Sequence, residues 1–99
     1  MNINFTRLLR TSSSERYLLH IDGVGDDAAL DLHYLSDNSV AGTLIILDEQ
    51  YASEKVVAEI VEEIDKVLLP NVSLEEGNLS FTVVQGAVLG SFTGEKSEG

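Results

Sequence analysis

The sequence predicts an α+β fold: a single antiparallel sheet of about six strands, in the order β-β-β-β-α-β-β, with one long amphipathic helix packed on one face. Three observations lead there. Residues 53–69, SEKVVAEIVEEIDKVLL, closed by Pro70, are the one stretch with a clear helical period. The segments on either side alternate apolar and polar residues with strand period. The chain has 99 residues and is 43% hydrophobic, which supplies one core and hardly a second. Residues 1–92 are expected to form this one domain. The final TGEKSEG, 93–99, reads as a disordered tail.

The helix is read from its stripe. Val56, Val57, Ile60, Val61, Ile64, Val67 and Leu68 fall within an arc of about 140° at about 100° per residue. Most of them are β-branched and poor helix formers, so packing must hold the element. Ser53 is placed to cap the first turn, Glu54 and Lys66 suit the two ends of the helix dipole, and Pro70 ends the helix.

The strands come in chain order. Residues 2–10 read as the first, with Ile3, Phe5 and Leu9 on one side and Arg7 interrupting them. TSSS, 11–14, is a turn. Residues 16–21 and 28–35 form the next two strands around the loop DGVGDD, with Ile21 opposite Ala28, Leu19 opposite Leu30 and Tyr17 opposite Leu32. SDNS, 36–39, is a hairpin turn. A two-residue connection at Asp37 and Asn38 sets Tyr34 against Ala41, Leu32 against Thr43 and Leu30 against Ile45 on the strand 40–47. After the connection 71–78, residues 78–84 and 87–92 are expected to pair as a last hairpin around Gln85 and Gly86, with Phe81 covering Gly90.

Composition excludes several functions. Seventeen acidic residues against six basic ones give a net charge of −11, which argues against binding a phosphate backbone. The acidity suits solubility, a basic partner or mimicry of nucleic acid. No apolar run approaches the length of a membrane span, and the N-terminal MNINFTRLLR lacks the charged-then-apolar order of a signal peptide. With no cysteine there is no thiolate or disulfide chemistry, and a cytoplasmic location is expected. No cofactor is expected.

Motifs with chemistry are few. DGVGDD lacks the spacing of a calcium loop, and Gly23-Val24-Gly25 precedes a strand where a dinucleotide site requires a helix. On the sheet face away from the helix, the expected register gathers His20, Asp31 and His33. Two imidazoles and a carboxylate are the donor types of a zinc or acid-base site, although the two histidines lie at opposite ends of the array. Polar residues alternating along a solvated strand are the plainer account of them.

The same register leaves five apolar residues facing away from the helix: Leu18, Leu35, Val40, Leu44 and Ile46. A solvated face has no reason to carry them. The sheet either curls over them, or a second copy or another protein covers them. The leading expectation is therefore a small acidic, non-enzymatic interaction or regulatory module acting through an apolar sheet face, its partner a protein or itself, with no nucleic acid and no membrane. A metal-dependent or acid-base enzyme using His20, Asp31 and His33 is the first alternative. An acidic inhibitor that presents Glu59, Glu62, Glu63 and Asp65 to a basic partner is the second.

Overall fold

The four segments before the helix form a meander because each apolar face needs the next strand beside it to share one core. A computed structural model describes residues 1–69 and 77–94. In it β1 is Ile3–Arg10, β2 Ser14–Ile21, β3 Ala28–Tyr34 and β4 Val40–Ile46. A short 3-10 turn, Glu49–Tyr51, leads to helix α1, Glu54–Leu68, and then to β5, Leu79–Gln85. The fold is α+β, with one mixed sheet of five strands in the order β1-β2-β3-β4-β5.

Two expectations about the sheet are corrected. It is not wholly antiparallel: β5 runs parallel to β4, from Val40 opposite Leu79 to Ile46 opposite Gln85. The helix carries the chain back along the sheet, so the returning strand enters at the end where β4 began. The sixth strand is also absent among the described residues: after Gln85 the chain continues to Gly94 without regular structure. Phe81 therefore does not cover Gly90. It lies over Gly42 on the neighbouring strand, where an added Cβ would sit 2.5 Å from its ring. The connection 70–76 and the tail residues 95–99 lie outside the described residues.

Helix α1, expected over 53–69, spans Glu54–Leu68, and its stripe is turned to the core except at Val67. Ser53 Oγ accepts a hydrogen bond from the Val56 N–H at 3.3 Å, which caps the first turn. Ile60 and Ile64 are fully buried, with Val56, Val57, Val61 and Leu68 packed around them, while Val67 remains half exposed. No described helix is long and apolar enough to cross a membrane.

The registers decide which sheet face is the core. Between β2 and β3 the pairs are Leu19–Ala28, Tyr17–Leu30 and Glu15–Leu32, two residues from expectation. A shift of two keeps every side chain on its side. The extra length is held by Asp27, whose buried carboxylate accepts the Ile21 N–H at 2.7 Å. Between β3 and β4 the pairs are Tyr34–Val40, Leu32–Gly42 and Leu30–Leu44, one residue from expectation. A shift of one exchanges the faces. Val40, Leu44 and Ile46 are thus core residues beneath α1, and Ala41, Thr43 and Ile45 face the other way.

The cause is the turn. The Asn38 N–H bonds to the Leu35 carbonyl, the Leu35 N–H to the Ser39 carbonyl, and Asn38 has φ 68°. This is a three-residue loop, Ser36-Asp37-Asn38, whose last residue is left-handed. Asp37 accepts from both the backbone N–H and the hydroxyl of Ser39, which fixes the loop and holds the Asp37 carboxyl below its ordinary range. Leu44→Ala is expected to cost about 2–5 kcal/mol in denaturant unfolding, whereas Ile45→Ala costs well under half of that. Equal losses at the two positions would contradict the register.

Candidate functional site

Two surfaces are formed by this sheet. One is the open face opposite α1; the other is a groove on the helix side that α1 does not cover.

On the open face, strand pairing aligns Thr6, Leu18, Ala29, Ile45 and Val84 in one row across all five strands. Four of the five are apolar. Leu18, Ala29 and Ile45 are half-buried against their neighbours, and Val84 is 45% exposed. The next row holds Arg16, Asp31, Thr43 and Thr82, and the one after it Ser14, His33, Ala41 and Ser80. The face is therefore a narrow apolar band edged by hydroxyls and one ion pair. No described helix or strand lies over it.

The expected apolar set is redistributed. Leu18 does lie on the open face. Leu35 is exposed but sits in the turn and lines the groove on the helix side. Val40, Leu44 and Ile46 are no part of an exposed patch, because the three-residue turn rotates them into the core. Ile45, Ala29 and Val84 take their place. Sequence reasoning missed these because it assigned β4 the opposite parity.

His20, Asp31 and His33 share the open face but do not converge. His33 pairs with Ser14, six residues along β2 from His20, which is about 20 Å of strand. Both ring nitrogens of His20 are engaged. Nδ1 donates to the Gly25 carbonyl at 2.9 Å, which leaves Nε2 to accept from the Thr6 hydroxyl at 2.8 Å. Asp31 accepts from Arg16 Nε at 2.6 Å, and this pairing raises the guanidinium pKa further. Among the described residues no group of three metal-ligating side chains comes together. Of the acidic helix residues, Glu59 and Glu62 are exposed and Glu63 and Asp65 half-buried.

The groove has a volume of about 870 Å³. Its floor is a polar cluster that sequence reasoning did not assemble. Glu15 and Tyr17 project from the core side of β2, both buried, and Tyr17 Oη donates to Glu15 Oε2 at 2.5 Å. Arg10, directly opposite on β1, approaches the other carboxylate oxygen at 3.4 Å. Arg7 lies opposite Tyr17, and the Phe5 ring meets the Tyr17 ring edge-on at 6.3 Å. Tyr34 closes the cluster from β3. The legible signal was charge at core parity: Arg7 among Ile3, Phe5 and Leu9, and Glu15 in line with Tyr17, Leu19 and Ile21.

This cluster ties three strands together. The charge of Glu15 is paired with Arg10, its other oxygen accepts from Tyr17, and no buried side-chain polar atom among the described residues lacks a partner. Burial pushes the Tyr34 phenol up to about 12, with the Glu15 carboxylate adding to the effect. Burial likewise raises Tyr17, and its hydrogen bond to Glu15 adds to that. Comparison with known proteins supplies no relative: no protein-family model, no curated protein and no solved structure matches this chain.

The folded chain holds these phenolic protons more tightly than the unfolded chain does. The stability they contribute is thus complete below about pH 10 and lost as pH rises toward 12. Ultraviolet titration should show Tyr34 ionising near 12, and Glu15→Gln should lower both Tyr17 and Tyr34. A titration unmoved by Glu15→Gln would remove Glu15 from the cluster.

Proposed function

We propose that this chain is a small, non-enzymatic interaction module that binds a protein partner through the open face of its sheet. One observation carries the reading: Leu18, Ala29, Ile45 and Val84 form a continuous apolar row on the face that no described element covers. Neighbouring core residues are fully buried under α1, so the domain is complete without using this row. A face that folding leaves uncovered and apolar gains free energy when a partner removes it from water, at about 25 cal/mol per Å² of apolar area. The flanking hydroxyls and the Arg16–Asp31 pair supply the polar rim that interfaces carry around such a centre.

Charge narrows the class of partner. With a net charge of −11 the chain repels phosphate backbones and anionic membrane surfaces. The open-face band holds no unpaired lysine or arginine that would offset this. The partner is a protein surface with apolar side chains at its centre.

The test is a comparison of variants in extracts of the native cell. Ile45→Lys should keep the fold, judged by a retained cooperative melting transition, and abolish retention of a partner that the wild type captures. Glu62→Lys on the far side of α1 should retain it. Equal capture by wild type and Ile45→Lys would contradict the reading.

A further inference from the structure

The strand at the β4 side of the sheet stands out by its lack of charge. Residues 77–94, GNLSFTVVQGAVLGSFTG, contain no charged residue, although the chain carries 17 acidic and 6 basic ones. This stretch comprises the whole of β5 and the segment after it. Among the described residues β5 is an edge strand, bonded on one side only, to β4. The Val40 N–H bonds to the Asn78 carbonyl and the Gly86 N–H to the Ile46 carbonyl, so the even-numbered residues turn their backbone groups toward β4. By the alternation of a strand, those of Leu79, Phe81, Val83 and Gln85 point outward. Beyond the strand Val88 is 71%, Leu89 102% and Phe92 98% exposed.

Proteins protect such edges with charge, proline or bulges. The opposite edge does so: β1 has a register irregularity between Arg7 and Leu9 and carries Arg7 and Arg10. The β5 edge has none of these, and no bulge interrupts its pairing with β4.

We propose that β5 and the segment after it pair antiparallel with the same stretch of a second copy of the chain. The two sheets then join edge to edge about a twofold axis near Gly86. Charge argues for a copy as the occupant. Two chains of −11 repel over most of their surfaces, and this uncharged strip is where they meet without opposing like charges. The side chains fit the symmetry. With Gly86 on the axis, Val84 faces Val88 of the second copy, Val83 faces Leu89, and Ser80 faces Phe92. Each apolar residue of the trailing segment gains a β5 neighbour that it lacks within one chain. An axis perpendicular to the sheet puts both helices on one side. The Val84–Val88 contacts then extend each apolar row by one residue onto the second copy, and the two rows run side by side about 13 Å apart along the strands. The pairing rests on the edge alone and stands whether or not the open face binds another protein.

The test uses the full chain in sedimentation velocity, together with amide hydrogen exchange. The wild type should sediment at twice the chain mass, with slowed exchange at Leu79, Phe81, Val83 and Gln85. Raising NaCl from about 0.05 to 0.5 M should strengthen the dimer, because screening weakens repulsion between two acidic chains. Val88→Lys with Leu89→Lys changes residues that touch little within one chain. It should return the protein to the monomer and restore fast exchange at those four amides, with the thermal melt of a folded domain retained. Three results would overturn the proposal. One is a monomer with fast exchange at the four amides. Another is a monomer with slow exchange, which means that the trailing segment folds back as a hairpin on its own β5. The third is a dimer that survives the double substitution.

Discussion

A single backbone conformation decides what this molecule buries and what it shows. Asn38 closes the β3–β4 turn with a left-handed φ, and that makes the loop three residues long. A two-residue loop would place Ala41, Thr43 and Ile45 beneath the helix and leave Val40, Leu44 and Ile46 outside. With three, the larger set enters the core and the smaller one remains on the open face. The burial difference is large, because Leu44 and Ile46 are closed to solvent while the other set holds one alanine and one threonine. Packing and turn chemistry therefore favour the same register, as expected where local and global preferences agree. Gly42 belongs to this arrangement as well. Its place under the Phe81 ring exists only when β4 turns that face to the helix.

The second constraint is the return of the chain through α1. Because the helix brings β5 in parallel to β4, the last strand becomes an edge, and its outer side has no neighbouring strand among the described residues. A terminal hairpin would have covered that edge from within. The β5 edge is thus a strip both unpaired and uncharged, beside a body that carries strong negative charge. The two uncovered surfaces, the row through Ile45 and the edge at β5, are continuous at Val84. The proposed partner face and the proposed self-pairing edge are therefore adjoining parts of one sheet.

Much of this was legible in the residues. The stripe from Val56 to Leu68 and the Ser53 cap located the helix, and alternation located β1 to β5 to within a residue or two. The β2–β3 side chains point as their pattern implies, since an error of two residues leaves parity intact. What escaped was decided by small differences. SDNS is compatible with loops of two or three residues, and both leave an alternating apolar set on β4, so the pattern could not choose between Leu44 and Ile45. The direction of β5 depended on where the helix deposits the chain, which a strand's own side chains do not record. The Glu15 cluster was half visible: Arg7 and Glu15 are charged at core parity, yet only the facing of β1 and β2 shows that Arg10, Glu15 and Tyr17 satisfy one another.

Core and open face alike depend on which side of β4 meets the helix. Methyl nuclear Overhauser contacts answer this directly. Ile60 and Ile64, with methyl groups assigned, should show contacts to Leu44 and Ile46 and none to Ile45. Contacts from Ile60 or Ile64 to Ile45, with Leu44 and Ile46 silent, would put the β3–β4 register back by one residue and contradict both the core and the open face described for this sheet.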